Sequence, residues 1–441
     1  MTTKAKILLL SLLSFSFQKG NCSWSRLGNG FDWAVASLLA DTATGILYAG
    51  GYFSTDSLKP LLGIAQWNGS QWDSVGAGTE GVNGVLELCK FQNKIYASGL
   101  FGHVGNKTTK GFAIWNGSNW DTLPCYPRYP AYCLKVIDNE LYCASAFTNV
   151  CGQYTEFVAK YDGATWSEFT FGLDTNFQGG VLALEEYQGN LYVAGNIMPI
   201  EDIFMWDGTQ AHQLGAGIQG GGSAINSMAV YKNELYVGGI IRKIDGNIGN
   251  YIMKWDGSQW SEVGGSVDNI VESMTVYDGY LYVCGGFSSA GGIPASRIAR
   301  WDGSSWTALG TEIFDNRIYA MDFFNNQLYV GGGFYFIDTM SANFIVKYNG
   351  PVGVSDFAKP SFSFSFSPNP SNSFLTISFS SLLNEVGILS VADATGKKQF
   401  RVLIPRQTMR KELDVSELAA GVYFVTLQTE YGSITRKLQK Q

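Results

Sequence analysis

His103 and His212 are the only imidazoles in the 441 residues. A multi-histidine metal centre is excluded by that count. Copper oxidation would need both histidines together with a redox Tyr–Cys pair, and a Ser–His–Asp relay would need one of the same two. The two lie in different repeats of the chain and near opposite ends of their strands, and no nucleophile motif surrounds either. Oxygen-donor chemistry has one candidate, Asp245-Gly246-Asn247-Ile248-Gly249-Asn250. The alternation of Asp245 and Asn247 resembles the oxygen-ligand spacing of a calcium loop only weakly. The same Gly and Asn content describes an ordinary turn, so no cofactor is expected.

Recognition has a better candidate. Residues 124–130 read Pro-Cys-Tyr-Pro-Arg-Tyr-Pro. Three prolines stiffen this loop, and Tyr126, Arg128, Tyr129 and Tyr132 offer aromatic contact area plus one charge. His103 and Lys107, on the neighbouring repeat, extend the patch, and Trp33 is a weaker candidate. The same region holds Cys125, Cys133, Cys143 and Cys151. In an exported chain these suggest disulfides, with three connectivities possible. Pairs 125–133 and 143–151 would each staple one loop; 125–151 would tie two loops together. Register argues against 133–143, because a turn at Asp138-Asn139 sets Leu134 opposite Cys143. Cys89 and Cys284 fall in distant repeats and are expected to be buried thiols.

These residues are positioned by a repeat. A Leu-Tyr-Val-Gly-Gly-like segment recurs seven times, at 47–51, 95–99, 141–145, 191–195, 235–239, 281–286 and 328–332. A W-[DN]-G turn recurs at Trp67, Trp115, Tyr161, Trp206, Trp255, Trp301 and Tyr348, with spacings of 48, 46, 45, 49, 46 and 47. A W-x-x-[LV]-G segment or its relic starts at Trp24, Trp72, Trp120, Trp166, Trp260 and Trp306; the copy at 211–215 lacks its Trp. Each unit reads as four strands, A to D. Pairs such as Lys232-Asn233, Asp278-Gly279, Gln188-Gly189 and Asp138-Asn139 are expected as tight A–B turns with positive φ. Four short strands per repeat predict a blade of a β-propeller, here seven-bladed and all-β. The chain opens with a D-type strand, 24–28, and its seventh unit stops after strand C. The N-terminal strand is therefore expected to complete the last blade beside the strand ending at Tyr348.

The double glycines Gly50-Gly51, Gly238-Gly239 and Gly285-Gly286, with an aromatic ahead of strand D, resemble kelch and galactose-oxidase propellers over roughly 24–350. W-D-G-S-x-W departs from the usual kelch loop. Fold does not give function.

Both ends of the chain carry addresses. Lys4 and Lys6 precede an apolar run at 7–17, the pattern of a secretory signal peptide cleaved near 22–23. No later stretch is apolar for 18 residues, so no transmembrane segment is expected. Beyond a linker at 351–361, residues 362–441 read as a small antiparallel sandwich. Pro368-Asn369-Pro370, then Asp393 and Gly396 within V-x-D-x-x-G-K, then Gly421 and Tyr423 within G-V-Y-F, then Arg436-Lys437 resemble the type A C-terminal sorting domain of type IX secretion. The resemblance implies export through the periplasm to the cell surface or medium, with the secretion machinery as partner.

The chain has 30 Lys+Arg against 37 Asp+Glu. Residues 23–350 carry 17 basic and 30 acidic side chains, whereas 351–441 carry 10 and 7. So acidic a ring is a poor nucleic-acid binder. The expected function is a monomeric, secreted or surface-bound binding protein for a glycan or protein, through the loop face. The alternative is a polysaccharide lyase or hydrolase working with Tyr and Arg.

Overall fold

The computed structural model describes residues 23–80, 84–127, 129–167, 169–172, 178–198, 202–219, 224–350, 364–379, 387–393, 398–405, 407–429 and 432–441. The expected signal peptide at 1–22, the linker at 351–361, Arg128 and Gly396 lie outside them. The described chain is all-β but for one short 3-10 turn, Lys243–Asp245.

The described residues of 23–350 form seven four-stranded antiparallel sheets in chain order, with the small hairpins of the loops beside them. The innermost strands are Val35–Asp41, Val85–Phe91, Cys133–Ile137, Gln178–Tyr187, Ala224–Tyr231, Val271–Tyr277 and Ile318–Phe324. Strands B, C and D follow outward. Six apolar clusters each span the gap between consecutive sheets, and a seventh joins the seventh sheet to the first. The sheets thus form a closed ring, a β-propeller. Each buried Phe or Leu in these gaps contributes about 1.5–3 kcal/mol.

Local chemistry explains the repeat. In the tight A–B turns, Gln92-Asn93, Asp138-Asn139, Gln188-Gly189, Lys232-Asn233, Asp278-Gly279 and Asn325-Asn326 all have positive φ, as a two-residue hairpin requires. In the W-[DN]-G turns, Asn68, Asn116, Asp162, Asp207, Asp256 and Asp302 each accept backbone N–H bonds from the residues two and three ahead. Their glycines sit at φ 95–105°, closed to other residues without strain. The two aromatics flanking the turn are register partners, Trp67 with Trp72 and Trp301 with Trp306 among them. The strand-D indole then reaches back one repeat: Trp72 donates to the Leu27 carbonyl at 3.1 Å and Trp120 to that of Val75 at 2.8 Å.

Closure is as the order of signals predicts. Trp24–Arg26 pairs with Ile345–Tyr348, setting Trp24 opposite Tyr348.

The described tail forms a three-stranded and a four-stranded antiparallel sheet around one apolar cluster that includes Leu375, Ile377, Val391, Val425 and Leu438. Asn369 fastens the Pro-Asn-Pro turn to the last strand: its amide donates to the Lys437 carbonyl at 3.0 Å and accepts from the Gln439 N–H at 2.8 Å. Asp393 accepts from Gln399 at 2.9 Å, and the Tyr423 hydroxyl donates to the Ala419 carbonyl at 2.9 Å. Gly421 opens the strand Gly421–Thr429.

Candidate functional site

In six of the seven innermost strands the register slips by one residue near the loop end, at Ala36, Leu86, Leu182, Asn226, Glu272 and Tyr319. A bulge bends its strand and re-aims the extra side chain. All six line a cavity of about 630 Å³ that takes residues from every sheet, at the centre of the ring. Ser37 and Ser227 each directly follow a bulged residue. Each hydroxyl accepts a backbone N–H of the next inner strand, from Leu88 at 3.1 Å and Met274 at 2.9 Å.

Four aromatics contribute to the cavity wall at its loop end: Trp33, Tyr52, Tyr132 and Tyr319. Trp33 is 62% exposed, Tyr132 45% and Tyr52 42%. Burial, with the nearby hydroxyls of Tyr319 and Tyr132, raises the Tyr52 phenol above its ordinary range. At the root of the loop following strand B, Gly333 leaves room for this collar: a Cβ there would lie 2.9 Å from the Tyr319 hydroxyl.

Below the collar the wall is charged. Lys135 pairs with Glu185 at 2.9 Å. Glu272 accepts from Arg317 at 3.1 Å and from the Asn226 amide at 3.2 Å. Burial raises the Glu272 carboxyl, and Arg317 offsets part of that rise. Glu87 has no hydrogen-bond or ion-pair partner among the described residues. It is half-buried and lines the cavity, and desolvation pushes it up to about 8.

Of the residues singled out from sequence, the structure brings only Tyr132 and the weaker candidate Trp33 to this cavity. Tyr126 is partly buried against the apolar cluster between the second and third sheets. Tyr129 is half exposed and off the cavity wall. His103 sits on a two-residue strand opposite Glu80. Lys107 pairs with Asp121 at 2.7 Å. His212 pairs with Asp207 at 2.6 Å.

Of the four cysteines expected to form disulfides, only Cys125 and Cys151 do so, 5.4 Å apart at Cα. Cys133 and Cys143 are free thiols. Register is the reason: Leu134 faces Cys143, and Cys133 faces Ala144. The bond ties loop 124–130 to the next hairpin, which a Pro127–Val150 bridge also holds. Trp166 donates to the Cys125 carbonyl at 3.2 Å. This loop is therefore built into the ring.

Loop-face acids are turn fasteners. Asp32 accepts from the Ser54 and Thr55 N–H groups, Asp268 from those of Ser288 and Ser289, and Asp315 from that of Tyr335. Asp245 is held by Arg242 at 2.7 Å. The Asn247 amide bonds the backbone of Gln219 and Arg242, so both candidate oxygen donors hold the loop together. Among the described residues no three His, Cys, Asp or Glu side chains converge as a metal group, and no helix is long and apolar enough to cross a membrane.

The chain matches the secretion system C-terminal sorting domain family over residues 365–441. It is thereby addressed for type IX secretion, to the cell surface or the medium. No curated protein matches the chain. Among solved structures, it is similar to the β-propeller domain of the trilobed protease from Pyrococcus furiosus, described as having an open velcro topology. The two are 10% identical, the match covers 72% of this chain and 96% of that one, and the TM-score is 0.42.

Proposed function

We propose that this exported chain is a seven-bladed, kelch-like propeller with an Ig-like sorting tail, and that it works as a monomeric glycan-binding protein. The observation that carries the reading is the collar of Trp33, Tyr52, Tyr132 and Tyr319 around the central cavity. Exposed aromatic faces offer a saccharide flat apolar contact at little entropic cost, and polar groups behind them fix its orientation. The cavity volume lies in the range of ordinary ligand sites.

The test is titration of the purified exported chain with a panel of soluble oligosaccharides, by calorimetry. Trp33→Ala and Tyr132→Ala should each weaken binding by more than about 1 kcal/mol and leave the fold intact. Binding that neither substitution alters would move the site off the collar. Release of shorter saccharides during incubation would favour a lyase or hydrolase instead.

A further inference from the structure

The cavity carries more carboxyls than cations. Glu87 and Glu272 line it against Lys135, and two of these three are committed to groups behind the wall, Lys135 to Glu185 and Glu272 to Arg317. Glu87 is the acid left over. The groups packed about it do not compensate it. On its own strand, Cys89 is a thiol that burial raises to about 12, and Lys90 is engaged by Asp41 at 2.6 Å. The third inner strand brings Cys133, likewise raised by burial to about 12, and Lys135, taken by Glu185. Tyr48, Lys94 and Tyr96 complete the titratable groups of the strands packed beside it. Both thiols are neutral at pH 7, so neither supplies charge.

A carboxyl buried without a partner is costly as an ion and gains most from a cation brought by a ligand. We propose that the cavity accepts the free ammonium group of an amino sugar, with Glu87 as its counter-ion and the aromatic collar stacked on the sugar rings. This assignment rests on the glycan reading above and names the class of glycan. A ring domain with 30 acids against 17 bases favours a cationic saccharide over an anionic one. Aromatic faces also attract a cation directly.

Pairing requires Glu87 to ionise, and its pKa of about 8 in the empty cavity means that it is mostly protonated at pH 7. Affinity should therefore rise with pH, by up to about tenfold per unit between pH 6 and 7, until the amine loses its own proton.

The experiment titrates the full exported chain with a β-1,4-linked glucosamine tetramer, its fully N-acetylated counterpart and a lysine-containing peptide. The expected result is at least tenfold tighter binding of the free amine, erased in Glu87→Gln while the N-acetylated tetramer is unaffected. Equal affinity for the two tetramers, both weakened by Trp33→Ala and neither by Glu87→Gln, would overturn the amine assignment and leave the glycan reading standing. Binding of neither tetramer would overturn both. Peptide binding that Glu87→Gln abolishes, with no saccharide bound, would assign the acid to a protein ligand and overturn the sugar. A melting curve for each variant separates lost contacts from lost fold.

Discussion

The indole of Trp24 packs 4.9 Å, centroid to centroid, from the ring of Tyr348, its register partner at the far end of the repeat array. Phe314 meets the same indole edge-on at 5.1 Å. Trp24 is 1% exposed, and its buried N–H has no acceptor among the described residues. The strand-D indoles of Trp72, Trp120, Trp166, Trp260 and Trp306 all have one. Closure at this seam rests on shape and strand pairing, without the repeat's usual indole bond.

Trp24→Ala should therefore cost about 3–5 kcal/mol in urea denaturation. Trp24→Phe should cost much less, because it keeps an aromatic and removes an unsatisfied donor. Equal losses in the two variants would place the stabilisation in the N–H and contradict the packing account.

Removing the disulfide by Cys125→Ser with Cys151→Ser should lower stability by about 2–4 kcal/mol, as expected for closing a loop of 26 residues. Cys133→Ser should leave the bond intact. Peptide mapping without reduction should yield one linked fragment containing Cys125 and Cys151; a fragment linking Cys133 would refute the assignment.

Glu87 sets a pH dependence of stability. Its ordinary value is 4.5, and burial raises it to about 8 in the fold. Between those values the folded chain holds a proton that the unfolded chain has released. The contribution is complete below about pH 4.5 and is lost as pH rises through 8. Glu87→Gln should flatten this part of the profile and gain up to a few kcal/mol at pH 9. Parallel pH profiles for the two proteins would show that Glu87 ionises normally.

Deleting residues 365–441 should hold the chain in the periplasm, scored by protease accessibility on intact cells. Asn369→Ala removes two bonds to the last strand and should destabilise the tail by about 1–3 kcal/mol. Undiminished surface display of the deleted chain would refute the sorting role.

The ring was legible because its signals are structural and therefore repeat. The Asp of W-D-G caps a turn, its Gly adopts a conformation other residues resist, and each Trp packs between strands. The tail was legible from its motifs, which fasten turns to strands. The cavity was not legible for the complementary reason. Ala36, Leu86, Leu182, Asn226, Glu272 and Tyr319 occupy one structural position but are of five different types, and the bulge that turns each toward the centre leaves no mark in the A-strand pattern. The repeat breaks most visibly at loop 124–132, but that irregularity serves a disulfide and a partly buried Tyr126. Trp33 and Tyr132 lie just ahead of their inner strands, and that position could have linked them.

The seam between Trp24–Arg26 and Ile345–Tyr348 also fixes an order of assembly. The strand synthesised first cannot be placed until almost all of the ring exists, roughly 15–65 s later at ordinary rates of synthesis. Until then the edge of Ile345–Tyr348 is an unoccupied template, open to the matching strand of another molecule. At high concentration, nascent chains should exchange N-terminal strands and accumulate as linked rings, and a co-expressed 23–28 peptide should suppress that exchange.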